Sequence, residues 1–423
     1  MRQLGLRGFY IVVLVAIIGI QLEAQVFDPS KGCAIDVNGE CISNTLLTAV
    51  PFLKIVPDAR SGSMGDAGLA ISPDANSMHF NASKLAFAEQ NFSLSATYTP
   101  WLRELGLTDV YLAYLSGYNK LSEDQAIGFS LKFFSLGDIN FTDINGNSTG
   151  SGRPREFEIS GAYARKLGDN LSAAITAKYI NSNLASGQQV QGIDITTANA
   201  FAADISLTYQ TEVGPNDNEF TFATAISNLG SKVSYTNSSD TKDFLPGNLG
   251  IGAAYKLKFD SYNSLTFALD INKLLVPTPQ PFKLIENPGT DTAREIDNPD
   301  FDLTGAENGG PDGIGDYRQE SLFKGILGSF TDAKGGLSEE IKELTYSFGV
   351  EYWYNNQFAV RTGYYFENEL KGDRQYLTLG VGLKYNVAAI NISYLIPTSN
   401  RRSPLDNTLR FSFIFDASVF QAR

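Results

Sequence analysis

The chain is poor in the residues that carry most protein chemistry. Of its 423 residues one is histidine, two are cysteine, two are tryptophan and three are methionine. The one histidine, His79, precedes every strand-like stretch, so a nucleophile placed on a strand or rim has no imidazole base beside it in sequence. His79 reads instead as a hydrogen-bonded residue of a folded segment. Neither HExxH nor CxxC occurs, and no motif implies a cofactor. Basic residues are also short: 33 Lys and Arg stand against 46 Asp and Glu, a net charge of −13. A chain so acidic does not bind nucleic acid through its phosphates. Past the first two dozen residues no apolar run approaches the roughly 20 residues of a spanning helix. Any membrane span must therefore be built of strands.

The N-terminus reads as an address. Arg2 and Arg7 precede the apolar stretch Tyr10–Ile20, and Leu22-Glu23-Ala24 offers a small-residue cleavage site. Residues 1–24 are read as a secretory signal peptide. Cys33 lies too far beyond that site to be a lipoprotein cysteine. With the signal removed, 31 basic and 45 acidic residues remain, a net charge of −14. Cys33 and Cys41 stand in a polar stretch with seven residues between them. They are candidates for a disulfide in an oxidising compartment, or two unpaired thiols.

Fourteen stretches of period-two alternation run from Asn91 to Phe415. Leu409, Phe411, Phe413 and Phe415 alternate with Arg410, Ser412 and Ile414, as a strand with one apolar face requires. The strand cores fall at 91–98, 108–116, 125–134, 155–165, 171–181, 198–210 and 219–227, then 247–257, 264–271, 344–354, 357–366, 375–385, 387–395 and 408–415. Connections are alternately short and long. Asn355–Asn356 and Asn386 are among the short ones; Ser135–Pro154 and Asn272–Glu343 are among the long. An even set of about ten-residue strands with sorted connections predicts an all-β, 14-stranded antiparallel transmembrane β-barrel of an outer membrane. Short turns then face the periplasm, long loops face outward, and both termini are expected in the periplasm. A soluble β-sandwich or propeller competes, but neither has reason to sort loop lengths by side. Residues 25–90 precede the barrel of 91–423 and form a periplasmic tail or a plug in or under the lumen.

The inward set favours the plug. It holds Lys132, Glu158, Lys178, Asp204, Lys256, Asp270, Glu351, Arg361, Lys384 and Arg410, nearly balanced in sign. Buried charges of both signs can pair. A water-filled lumen is the other possibility. The loop 272–343 carries 14 acidic and 7 basic residues, and a structureless loop of that length usually serves a function. Within it Asp300, Asp302, Asp312 and Asp316 are a weak candidate for Ca²⁺; a solvated acidic loop is the plainer reading, and the spacing is not that of an EF-hand. Leu322, Phe323, Ile326, Leu327 and Phe330 fall on one helical face. Trp101, Leu102 and Leu105 sit in the first long loop. Both sets are candidate partner-binding residues, with packing between loops as the alternative.

Two stretches carry a resemblance. Ala59-Arg60-Ser61-Gly62-Ser63-Met64-Gly65-Asp66-Ala67-Gly68-Leu69-Ala70, followed by Asp74-Ala75-Asn76 and Asn81-Ala82-Ser83, is similar to the segment leading into FadL-like outer-membrane barrels of Bacteroidetes. Many of those have Asn-Pro-Ala where this chain has Ala82 in the second place. Leu269-Asp270-Ile271-Asn272-Lys273-Leu274-Leu275-Val276-Pro277-Thr278-Pro279 resembles the exit of the ninth strand in the PorV (LptO) family of type IX secretion. The resemblance spans essentially all of the chain after the signal. It implies a non-enzymatic barrel that takes secreted cargo by its C-terminal signal domain from the large translocon barrel and passes it to a sortase or attachment complex. Its partners would be those three and the lipid bilayer. A FadL-like transporter of hydrophobic compounds is the alternative. A lipid-modifying enzyme would need a nucleophile and base at the rim.

Overall fold

A computed structural model describes residues 44–417 apart from 104–105, 143–147, 191–192, 215–216, 238–241, 280–282, 286–292, 296–319, 334 and 400–406, together with two short strands, Val26–Asp28 and Cys33–Ile35. Fourteen antiparallel strands close into one barrel. They are β1 (Phe92–Pro100), β2 (Val110–Lys120), β3 (Gln125–Leu136), β4 (Arg155–Lys166), β5 (Leu171–Asn183), β6 (Ala198–Val213) and β7 (Asn218–Gly230). Then follow β8 (Asn248–Lys258), β9 (Asn263–Leu274), β10 (Thr345–Tyr354), β11 (Phe358–Phe366), β12 (Gln375–Tyr385), β13 (Ala388–Pro397) and β14 (Leu409–Ala417). Each pairs with its neighbours in sequence, and β14 closes on β1 through seven residue pairs, from Phe411↔Tyr98 to Ala417↔Phe92.

Period-two burial sets the two faces. In β14, Leu409, Phe411, Phe413 and Phe415 are exposed while Arg410, Ser412 and Ile414 are buried. A sheet that turns its large apolar residues outward and its Arg and Ser inward is matched to a hydrocarbon surround, not to water. Closure leaves no free edge within the ring. One irregularity breaks the wall: the register between β6 and β7 shifts at Ala203/Ile205. There Asn228 adopts φ 58° and its N–H donates to Asp204 at 2.8 Å.

Residues 44–91 run through the ring. The helix α1 (Ala59–Gly62) is capped by Asp58, whose side chain accepts from the Ser61 N–H. It lies against β12, β13 and β14. A second short helix, α2 (Ser77–Phe80), and a 3₁₀ turn at Ala82–Phe87 follow. The segment bonds to strands on every side: Ala59 N–H to Ser412 Oγ, Gly65 N–H to Thr378 Oγ1, Gly68 and Leu69 N–H to Asp270, and Asn81 Nδ2 to Thr208 Oγ1. A chain that reaches β6, β9, β12 and β14 at once lies inside the ring. Its backbone touches the wall at Gly363, where a Cβ would sit 2.1 Å from Met64 C and Gly65 N. Gly65 itself has φ 64°, a conformation that glycine adopts without steric cost.

The ends of the strand set, Phe92 and Ala417, lie together at the short-turn end, as an even strand count requires. The chain ahead of them begins at the other end of the barrel. Asn44 is held at the opposite end: its N–H donates to Leu370 O at 2.7 Å and its Nδ2 to Pro279 O at 3.1 Å, both in long connections. At the other extreme Ala88 O accepts from Lys120 Nζ, beside the short turn after β2. The segment therefore crosses the lumen lengthwise, from the long loops down to the short turns.

Candidate functional site: the plugged lumen and the long-loop rim

The wall and the plug are joined by a buried ion cluster. Arg60 of α1 makes a forked contact with Glu351 of β10, Nε to Oε2 at 2.9 Å and Nη2 to Oε1 at 2.8 Å. Glu351 Oε2 also accepts from Arg361 Nε at 2.6 Å, across the β10–β11 pair in which the two residues are direct partners. Arg60 Nη1 reaches Asp74 at 3.1 Å and Ser72 O at 2.9 Å. Glu351 thus bridges two guanidinium groups, one from the plug and one from the wall, and Asp74 supplies a second carboxylate to Arg60. A second cluster sits near the bulge, where Lys178 pairs with Asp204 at 2.8 Å and donates to Asn228 Oδ1 at 2.9 Å. Paired and hydrogen-bonded, such charges are tolerated away from water.

Above the plug lies a cavity of about 680 Å³. Leu46, Phe52, Trp101, Phe134 and Leu136 line one part of it, and Tyr365, Arg374 and Tyr376 another. Tyr365 and Tyr376 stack with centroids 4.8 Å apart, and Arg374 lies over Tyr365 at 5.5 Å. Glu367 in the neighbouring connection is buried, which would raise its pKa, but Arg374 at 2.7 Å brings it below the usual carboxylate range. His79 is half-buried beside Phe80 and Tyr114, with Nδ1 3.5 Å from Lys132 Nζ.

The connection between β9 and β10 carries two helices, α3 (Leu322–Gly328) and α4 (Leu337–Lys342). The helix expected at 322–330 is present, but its apolar face is divided. Leu322 packs inward on the cluster of Leu46, Phe244 and Val276. Ile326 is half-buried, whereas Phe323 and Leu327 are 76% and 72% exposed. Phe330 is also exposed, with Lys273 Nζ 5.9 Å from its ring centre.

A second short helix is expected from the sequence at Ser338–Leu344, but its residues are not among the candidate partner-binding set. Its Leu337 and Ile341 are exposed, while Glu339 and Glu340 are buried. The helix is turned apolar side out because two lysines from elsewhere hold its carboxylates. Lys273 bonds Glu340 and Glu343, both at 2.8 Å. Lys371 bonds Glu339 at 2.6 Å and Glu343 at 3.0 Å. Burial raises the Glu339 carboxyl, but Lys371 more than offsets this and its pKa ends lowered. Asp332 beside this anchor is pushed up to about 6 by burial, against its hydrogen bonds from Thr278.

Trp101 is not on the surface. It is buried, its ring edge-on to Phe134 at 5.0 Å, and Leu102 packs half-buried on the same cluster. Leu105 lies outside the described residues, as do Asp300, Asp302, Asp312, Asp316, Cys41 and the stretch read as a signal peptide. Of Cys33 only the backbone strand is described.

A closed ring of fourteen strands, apolar outside and filled by its own N-terminal chain, defines a FadL-like outer-membrane β-barrel. Among solved structures it is similar to the TodX deltaS2S3 mutant monoaromatic hydrocarbon channel, at 11% identity and a TM-score of 0.50, over 85% of this chain and 98% of that one. It is also similar to the toluene transporter TbuX of Ralstonia pickettii, at 13% identity and a TM-score of 0.43, over 84% and 96% of the two chains. Likeness at such identity shows the fold alone. A comparison with curated proteins finds no match. The family model for type IX secretion system protein PorV matches residues 39–281, and the chain belongs to that family. It is an outer-membrane component of type IX secretion.

Proposed function

We propose that this barrel is a non-enzymatic docking component of type IX secretion. It binds the translocon barrel and the C-terminal signal domain of cargo, and carries that cargo to the sortase or attachment complex. Its long loops face outward and its short turns face the periplasm. The observation that carries the reading is the outward set on α3 and α4: Phe323, Leu327, Leu337 and Ile341 are each more than half exposed. Large apolar side chains held out on α3, seated through Leu322, and on α4, anchored by ion pairs, are suited to a protein partner. The filled lumen supports the same view, since the Arg60–Glu351–Arg361 cluster obstructs a through-path.

The test is co-purification from native outer membranes with Phe323→Asp and Leu327→Asp combined. Burying each side chain in an interface is worth about 1.5–3 kcal/mol, so recovery of translocon or cargo falls at least about tenfold. Full recovery of both from a correctly folded barrel rejects the assignment.

The cavity supports a second reading, a site for a hydrophobic compound as in the hydrocarbon channels that share the fold. Toluene binding to the purified barrel, lost on Phe52→Asp, would favour it; no saturable binding would dismiss it.

A further inference from the structure

We infer that the chain enters the ring from the side of the membrane that carries the long loops, and that Asn44–Val56 is a strap gathering those loops into one platform. That this side is the outside rests on the orientation proposed above.

The first half follows from connectivity. Asn44 is fixed to two long connections by three hydrogen bonds, to Leu370 O, Pro279 O and Glu339 Oε1. From there the chain descends through a lumen packed with its own side chains. Among the described residues the ring is closed and residues 44–91 run through its interior. The short strand Val26–Asp28 agrees, since it lies beside Lys283–Ile285 of the connection between β9 and β10.

The second half follows from what the strap touches. Asn44 bonds Glu339 of α4, the carboxylate that Lys371 also holds. Leu46 packs on Leu322 of α3 and on Phe244 of the connection between β7 and β8. Ala49 N–H donates to Phe244 O at 2.9 Å. Phe52 joins the cluster that holds Trp101 of the first connection. One short stretch therefore contacts the connections after β1, β7, β9 and β11. Val50, β-branched and followed by Pro51, is held at φ 52° and ψ 51°. That conformation is sterically poor for valine and persists only where the surroundings impose it. The helices with the exposed apolar residues are thus seated on the strap by Leu46–Leu322 at one end and Asn44–Glu339 at the other.

The experiment places an epitope in three separate full-length chains: after Gln25, between Gly309 and Gly310 of the long connection, and between Asn355 and Asn356 of a short turn. Antibody binding is compared on intact and permeabilised cells. The inference expects the tag after Gln25 to behave as the long-connection tag does. Behaviour like the short-turn tag overturns it. Should the long-connection tag itself need permeabilisation, the orientation fails while agreement between the two tags still supports the inference. The strap is read separately by limited proteolysis of the β9–β10 connection in Leu46→Asp, and in Asn44→Ala should Leu46→Asp not fold. Cleavage is expected to quicken by about tenfold or more while the barrel stays heat-modifiable. Unchanged cleavage in a folded barrel overturns the strap.

Discussion

Replacing Glu351 with alanine is the severest single test of how the plug is held. Glu351 is 1% exposed and accepts from Arg60 twice and Arg361 once. Its removal leaves the buried Arg361 guanidinium without its carboxylate and Arg60 with Asp74 alone. Breaking a buried pair by deleting one partner costs about 3–5 kcal/mol. Were that cost borne wholly by the seated plug, its equilibrium against a displaced state would shift by about two hundredfold to about five thousandfold. Arg60→Ala should do less, near about 2 kcal/mol, because Glu351 keeps Arg361 at 2.6 Å and only the plug-side hydrogen bonds are lost. The assay is amide exchange over residues 58–72 in the folded barrel, with conductance in planar bilayers as a second readout. Glu351→Ala should lose protection and show open-state events; Arg60→Ala should lie between it and the parent chain. Equal protection in all three, or a larger effect from Arg60→Ala, would refute the reasoning.

Three further outcomes follow from the same contacts. Trp101→Ala should destabilise the long-loop end by about 3–5 kcal/mol, measured by thermal unfolding, yet leave recovery of partners unchanged because the ring is buried against Phe134. Gly363→Ala forces a Cβ to within 2.1 Å of plug backbone, so amide exchange over residues 61–66 should accelerate while strand exchange in β11 does not. Asp332 is raised to about 6 from an ordinary 3.8, so the anchored form of α4 binds a proton that the released form lacks. Its contribution therefore strengthens as pH falls through about 6. Glu339, with its lowered pKa, gives up its own contribution only in stronger acid. Exchange at Ile341 should slow from pH 7 to pH 5 after correction for intrinsic rates, and Asp332→Asn should abolish that slowing.

The strands were legible because a wall with oil on one face and polar groups on the other imposes period two on every residue. Leu377, Leu379, Val381 and Leu383 stand outward in β12 where the alternation places them. The ends drifted by a few residues, as at β6, which runs on to Val213. Within loops no such constraint operates. Trp101 turns inward because Phe134 and the strap offer it a dry surface, and nothing local records their approach. The inversion of α4 is equally non-local: Lys273 and Lys371 flank its glutamates from opposite ends of the intervening chain. The direction in which residues 44–91 traverse the lumen was hidden, since an even strand count fixes only the ends of the strand set and says nothing of the chain that precedes it.

The seat of α1 bears on how the molecule can be made. Ala59 N–H bonds Ser412 Oγ, and Arg410 Nη1 donates to Gly62 O, both on β14, the strand that closes the ring. Ser412 Oγ lies 2.7 Å from Thr97 Oγ1 on β1, across the closing pair. A helix of the N-terminal segment and the strand that closes the ring are thus bonded to each other, 353 residues apart. Contacts so distant in sequence form late and slowly. A ring that closes with the N-terminal segment already laid along its concave face makes the β14–β1 pairs and the α1 bonds together. Shutting the ring and folding its contents then become a single cooperative step.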